Sequence, residues 1–187
     1  LPAVVPPASL HVPTTFAVGA FDTRLGGSPY LWDDYTVGER IDHVDGITIE
    51  ETDHMLAARL FQNTARVHFN QHVEREGRFG RRIVYGGHII SISRALSFNG
   101  LANAVGMAAI HGGRHTNPSF AGDTIYAWSE ILATDALQGV DHVGAVRVRT
   151  VALKDHAASD FTDRDAAGAY DPSVVLDFDY TILMPRR

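Results

Sequence analysis

The sequence predicts an α+β fold in which an antiparallel sheet wraps around one long, buried helix. The Gly86-Gly87 pair opens a segment, His88 to Val105, that is apolar on nearly every side, and such a helix is typically buried. Three later segments alternate between apolar and polar residues like half-buried strands: 123–133, 143–153 and 174–184. A buried helix followed by long strands indicates a sheet packed over that helix.

The segments before this helix are predicted in chain order. Residues 1–34 form a proline-rich linker and an irregular lead-in, because four prolines lie within 1–13 and proline disfavours regular helix. The domain itself is expected over 35–187, beginning with a pair of short edge strands between Tyr35 and Ile49. A capping-box pattern at Thr48 and Glu51 then predicts a helix over 49–62, and a second short helix is expected over 70–76.

The strand segments also predict which side chains face the core. A short apolar strand is expected at 107–111. Along 143–153 the apolar face carries Val146 and Val148, and the opposite face carries Arg147 and Arg149. Along 174–184, Asp177 and Asp179 share the face opposite the apolar residues. The acidic stretch 156–171 is predicted to be a surface loop.

Composition excludes several classes of protein. The 187 residues are 45% hydrophobic and 20% charged, which is typical of a globular domain, and the net charge is -6. An acidic chain without a basic stripe is not expected to bind nucleic acid. The absence of cysteine excludes disulfides and thiolate nucleophiles. No apolar run reaches the roughly 18 residues of a membrane helix, so we expect no membrane partner and a cytoplasmic protein.

The candidate catalytic and substrate-binding residues lie in two neighbouring stretches, Asn63–Asn70 and Arg78–Gly87. These stretches, with Asn117–Thr124, resemble the MaoC-like hydratase branch of the hot-dog superfamily. The resemblance spans about residues 35–185 and rests on family patterns at four places: Gly-Asp at 62–63, Ile-His-x-Asp at 67–70, Ile-Ala-His-Gly at 83–86, and Pro-Val-x-x-Gly-Asp-Thr at 118–124.

The resemblance implies a hot-dog fold and a hydro-lyase that reversibly adds water to a 2-enoyl-CoA. The stretches 63–70, 85–88 and 96–103 further resemble the second half of a family member in which two hot-dog domains share one chain. That likeness implies mesaconyl-CoA and β-methylmalyl-CoA as the substrate pair, with a second hot-dog domain, in cis or as a homodimer, as the partner.

His68 is the candidate catalytic residue, because histidine titrates near neutral pH and can accept and return a proton. The alternative is a histidine that merely satisfies a buried backbone carbonyl. Asn63 stands where the family has an aspartate, and an amide can orient water but cannot take its proton. Either His68 carries the proton transfers alone while Asn63 holds the water, or this half is a degenerate site.

Substrate-binding roles are predicted for five residues. The free N–H groups of Gly86 and Gly87 at a helix start are suited to an enolate-like oxygen, although they could also form a turn that binds no ligand. Tyr85 replaces the family's histidine and is expected to line the acyl pocket. Arg66 and Arg78 belong to a basic cluster with Arg81, Arg82 and Arg114, and arginine suits the carboxylate and phosphates of the substrate, although exposed surface charge is the alternative for each.

No cofactor is expected beyond the coenzyme A thioester of the substrate, and no metal, because the histidines lack metal-ligand spacing. A hydratase for another short 2-enoyl-CoA is an alternative within the same enzyme class. A different alternative is a non-catalytic hot-dog half that binds acyl-CoA and supports a catalytic partner domain. A thioesterase is less favoured, since no Asp or Glu occurs between Arg78 and Val105.

Overall fold

A computed structural model describes residues 4–14 and 21–187. Its helices are α1 (Thr23–Gly26), α2 (Glu51–Leu60), α3 (Gln71–Glu74), α4 (Gly86–Leu96) and α5 (Phe98–Leu101). Its strands are β1 (Arg40–Asp42), β2 (Ile47–Thr48), β3 (Gly106–His115), β4 (Thr124–Leu137), β5 (Val140–Lys154) and β6 (Val174–Pro185). Part of the predicted lead-in, residues 1–3 and 15–20, lies outside the described residues.

The strands form one antiparallel sheet in the order β1-β4-β5-β6-β3, with β2 also paired to β4. Helix α4 packs against β4, β5 and β6 and fills the concave face of the sheet. The core between helix and sheet is apolar and includes Ile89, Ile92, Ile131, Val148 and Ile182, each at most 6% exposed. The predicted α+β architecture, a sheet wrapped around a central helix, is confirmed.

The prediction of one long helix over 88–105 was wrong at its C-terminal end. Helix α4 stops at Leu96, and within the short segment α5 the backbone leaves helical angles at Asn99 (ψ 98°) and Gly100 (φ 108°). Asn99 donates from its side chain to the His43 carbonyl at 2.9 Å, and Tyr35 donates its hydroxyl to the Gly100 carbonyl at 2.7 Å. These bonds redirect the chain where a positive φ favours glycine. A Cβ at Gly100 would also lie 2.5 Å from Ile41 Cγ2.

A chain of buried hydrogen bonds crosses the core beside this break. The imidazole of His43 donates from Nδ1 to the Asn99 carbonyl at 2.6 Å, so Nε2 accepts the Ser129 hydroxyl at 2.8 Å. Ser129 in turn bonds Thr150 at 2.7 Å, and Thr150 bonds the Tyr180 hydroxyl at 2.9 Å. Every polar side chain of this path therefore has a partner, as burial requires.

The convex face of the sheet is covered by two other segments. Residues 4–14 lie along it, with Leu10 and Val12 against Leu183 and its neighbours, and the Val5 amide donates to His111 Nδ1 at 3.0 Å. The acidic loop 156–171 covers Trp128, and its Asp163 pairs with Arg149. On the predicted outward face of β5 and β6, the charged side chains form ion pairs: Arg149 also bonds Asp177, and Arg147 bonds Asp179.

Candidate active site

The loop between α2 and α4 is held in place by backbone hydrogen bonds at both ends. The Asn63 amide donates to the Ala58 carbonyl at 2.9 Å, and Ile83 donates to Val67 at 3.2 Å. Val84 donates to Ser119 at 2.8 Å and so ties the loop to the β3–β4 connection. These bonds place the short 3-10 turn Arg66–His68 next to the first turn of α4.

A cavity of about 380 Å³ lies between this loop, the start of α4 and the β3–β4 connection. Its walls are mostly apolar, and polar groups enter it from three separate parts of the chain: His68, Gly86, His115, Asn117 and Ser119. Such a concave, mainly apolar site with a few convergent polar groups is typical of small-molecule binding. Of the predicted site residues, His68 and Gly86 line it.

His68 is held by a hydrogen bond that fixes its tautomer. Its Nδ1 lies 3.1 Å from the Ile83 carbonyl, which only accepts, so Nδ1 carries the proton in the neutral ring. Nε2 then has a free lone pair, and it has no hydrogen-bond partner among the described residues. The alternative reading of His68, a bond to a backbone carbonyl, therefore holds for one nitrogen and leaves the other available as a base.

The two glycines at the start of α4 lie in different surroundings. Gly86 lines the cavity, whereas Gly87 lies under the Tyr85 ring, where a Cβ would approach Cζ to 2.5 Å. Neither glycine N–H has an acceptor in the part of the chain that the structure describes. Tyr85 itself packs edge-on against His68, with ring centroids 5.8 Å apart. The helix start thus brings a free donor to the cavity beside the imidazole.

Asn63 lies outside the cavity wall. Its side-chain oxygen accepts the Ala65 amide at 2.8 Å, which closes a local turn at the start of the loop. The amide nitrogen of the same side chain has no partner among the described residues. The structure therefore shows a loop-shaping contact for Asn63 and leaves only its Nδ2 for a ligand or water.

The arginines predicted to bind substrate do not line the cavity. Arg66 and Arg78 are exposed, and the Arg78 guanidinium lies over the Phe79 ring at 5.0 Å. Arg81 lies over Phe120 at 3.9 Å. Arg82 turns inward, pairs with Glu51 and donates to the Phe69 carbonyl at 3.3 Å. Within this chain, Arg82 supports the loop rather than presenting a free cation.

Three polar residues of the cavity wall, His115, Asn117 and Ser119, were not predicted as site residues. His115 ends β3, and its imidazole lies over Gly86; partial desolvation, followed by the charge effect of His68, lowers its pKa. The Ser119 hydroxyl is buried and has no hydrogen-bond partner among the described residues. No local pattern marks His115, which reaches the site through the pairing of β3 with β6, whereas Ser119 lies inside the stretch 118–124 that carries a family pattern but was given no site role.

No group of three metal-ligating side chains converges within residues 4–14 and 21–187. Over the same residues, no helix combines the length and the apolar character that crossing a bilayer requires.

Comparison with known proteins gives a consistent result. The sequence profile of the MaoC like domain matches residues 34–153. The chain is 70% identical over all 187 residues to the β-methylmalyl-CoA dehydratase of Chloroflexus aurantiacus, covering 53% of that protein. It is 51% identical over 180 residues, 96% of this chain, to the mesaconyl-CoA hydratase of Cereibacter sphaeroides, covering 51% of that protein.

Solved structures agree with the fold. The crystal structure of a putative MaoC domain protein dehydratase from Chloroflexus aurantiacus superposes with a TM-score of 0.95 at 70% identity, covering all of this chain and 53% of that one. The double hot-dog protein Rv0216 of Mycobacterium tuberculosis shares the fold at 18% identity and a TM-score of 0.61, covering 88% of this chain and 46% of that one. The chain therefore has a hot-dog fold and spans about half the length of the curated relatives it matches.

Proposed function

The chain belongs to the MaoC-like domain family, and on that premise we propose that it forms the catalytic half of an acyl-CoA hydratase/dehydratase. The reaction is the reversible addition of water to a 2-enoyl-CoA, with mesaconyl-CoA and β-methylmalyl-CoA as the substrate pair. The two relatives, a β-methylmalyl-CoA dehydratase and a mesaconyl-CoA hydratase, support this substrate pair. The observation that carries the proposal is the free Nε2 of His68 in the cavity beside the start of α4.

The proton balance of hydration fits a single imidazole. His68 Nε2 accepts a proton from water while the water oxygen bonds to the β-carbon of the enoyl thioester. The π electrons move to the thioester, whose oxygen becomes enolate-like and accepts a hydrogen bond from the Gly86 amide. His68 then returns the proton to the α-carbon and regains its resting form. Dehydration follows the same steps in reverse.

Asn63 has a supporting role in this proposal. Its oxygen is engaged by the Ala65 amide, so only Nδ2 remains to donate to the oxygen of the reacting water. Such a donor orients the water but takes no proton. The same geometry also favours the second candidate function, a non-catalytic half that binds acyl-CoA for a catalytic partner domain, since Asn63 does not line the cavity.

We also propose a second hot-dog domain as the partner, in the same chain or as another copy. Strand β3 lies at one end of the sheet and leaves its outer edge without a strand partner among the described residues. Its Ile110 is 59% exposed and Met107 is 40% exposed. Edge strands of this kind are commonly covered by pairing, and the half-length match to the relatives supports a linked domain.

The test is hydration of mesaconyl-CoA by the complete protein, followed as the loss of enoyl-thioester absorbance. We expect His68→Ala to reduce kcat by about 10²–10⁴-fold, because it removes the group that moves both protons. His11, an exposed histidine in the segment 4–14, provides the matched control, and His11→Ala should keep full turnover.

The other candidates give different results in the same assay. Normal turnover by His68→Ala would show that the chemistry lies elsewhere and would favour the non-catalytic half. Release of free thiol by the unmodified protein would identify a thioesterase. Faster turnover of a different short 2-enoyl-CoA would retain the reaction and replace the substrate.

A further inference from the structure

His115 reaches the start of α4 from a distant part of the chain. It is the last residue of β3, where it pairs with Leu176 of β6, and this pairing carries the strand end to the cavity. A Cβ built at Gly86 would lie 2.5 Å from His115 Nε2 and 2.9 Å from Cε1. The ring therefore occupies the space that only a glycine leaves open, directly beside the free Gly86 amide.

The imidazole of His115 is available for a ligand. Although the residue as a whole is exposed, its ring lines the same cavity as His68. Neither of its nitrogens has a hydrogen-bond partner among the described residues. A polar ring that is placed over a helix start and left unbonded is a candidate for substrate contact.

The electrostatic surroundings favour the neutral form of this ring. Partial desolvation and then the neighbouring His68 lower the His115 pKa, and the positive end of the α4 dipole disfavours a cation at the same place. A neutral imidazole still has one N–H donor. It can therefore donate a hydrogen bond to an oxygen without giving up a proton.

We propose that His115 is a further catalytic residue, whose Nε2–H donates a hydrogen bond to the thioester oxygen alongside the Gly86 amide as that oxygen gains negative charge. This rests on the proposed function, because it assigns a second donor to the same reaction. No proton leaves His115 in the step: the enolate-like oxygen accepts two hydrogen bonds, and His68 alone carries the proton from water to the α-carbon.

Two substitutions in the complete protein separate this role from proton transfer. Gln keeps an N–H donor at a similar distance from the backbone but cannot titrate, whereas Leu keeps only bulk. We expect His115→Leu to lower kcat for mesaconyl-CoA by about 10²-fold, as loss of one such donor does elsewhere, and His115→Gln to stay within about tenfold of the unmodified protein. His11→Leu is the control.

A spectroscopic measurement makes the test independent of turnover. The carbonyl stretch of acetyl-CoA labelled with ¹³C at the thioester carbon reports hydrogen bonds to its oxygen by infrared difference spectroscopy. Binding to the unmodified protein and to His115→Gln should lower this frequency, and binding to His115→Leu should lower it clearly less.

The outcomes are distinct. Equal kcat for His115→Leu and the unmodified protein would overturn the proposal, and so would a carbonyl frequency that is unaffected by either substitution. A loss of kcat that is equally severe in His115→Gln and His115→Leu would overturn it in favour of proton transfer. If the unmodified protein hydrates no enoyl-CoA, the proposed function fails, and the carbonyl frequencies alone decide whether His115 is a donor to the thioester.

Discussion

Two histidines in this domain make the same first hydrogen bond and differ in the second. His43 and His68 both present Nδ1 to a backbone carbonyl, that of Asn99 and that of Ile83 respectively. His43 Nε2 accepts the Ser129 hydroxyl in a fully buried path, whereas His68 Nε2 is left without a partner beside a cavity. The carbonyl fixes the tautomer in both cases. The surroundings of Nε2 therefore decide whether the ring stabilises the core or is available to accept a proton from a substrate.

Burial sharpens this contrast. Desolvation, only partly offset by the bond to Asn99, lowers the pKa of His43 to about 4. His43 is therefore neutral at physiological pH and is held so by the fold. A satisfied, neutral and buried imidazole is a structural element, because it can neither reach a substrate nor exchange a proton readily.

The largest expected effect on folding comes from His43→Ala. Removing the ring leaves the Ser129 hydroxyl and the Asn99 carbonyl without their partner and opens a cavity in the core. The free energy of unfolding should fall by about 2–4 kcal/mol, measured by urea denaturation. The kcat of the folded fraction should change little, in contrast to His68→Ala, and a large loss of kcat at unchanged stability would break the comparison.

The pH dependence of stability tests the same residue. The His43 pKa is about 4 in the folded protein and 6.5 without burial, so the unfolded chain takes up the proton first as pH falls. Stability from His43 is fully present above pH 6.5 and is lost as pH falls towards 4, in total about 3 kcal/mol. His43→Gln, which cannot titrate, should lose less stability over this range. Parallel curves for the two proteins would contradict this assignment.

The start of α4 provides a third test, on the catalytic side of the comparison. Gly86→Ala places a methyl group where the His115 ring now lies, so the exposed ring must move away. We expect kcat to fall about tenfold to a hundredfold. The free energy of unfolding should change little, because Gly86 is the first residue of α4 and its φ is not in the left-handed region that alanine would strain. A variant with normal kcat would show that neither the Gly86 surroundings nor His115 matters to the reaction.

The smallest expected effect concerns the loop that carries His68. Asn63→Ala removes the acceptor of the Ala65 amide, and the free energy of unfolding should fall by about 1 kcal/mol. Asn63→Asp keeps that acceptor and should retain wild-type stability. Its kcat reports the geometry of the site: unchanged or higher turnover indicates that the family geometry is intact, and an inactive variant indicates a site rebuilt around the amide.

Local sequence patterns predicted most of the fold. The alternation at 143–153 and 174–184 gave the inward residues of β5 and β6, because side-chain periodicity follows backbone geometry directly. Helix α2 was predicted in the right place, but the capping box expected at Thr48 and Glu51 was wrong: the helix begins after Glu50, and the Thr48 hydroxyl bonds that of Thr124 at 2.8 Å. The apolar pattern continues beyond Leu96, so it did not predict that helix α4 ends at that residue. There, tertiary hydrogen bonds from Asn99 and Tyr35 redirect a chain that periodicity alone would continue as helix.

The sequence by itself determined the family, the sheet wrapped around a helix, and the place of His68 in the loop before that helix. Only the tertiary structure decided which polar groups meet. In the folded chain, Arg82 pairs with Glu51, and the Asn63 side-chain oxygen accepts the Ala65 amide in a local turn. His115 lies beside Gly86 because β3 pairs with β6. The physical reason is distance along the chain. Hydrophobic periodicity reflects the local backbone conformation and which side chains face the core, whereas a site depends on contacts between distant segments that strand pairing brings together.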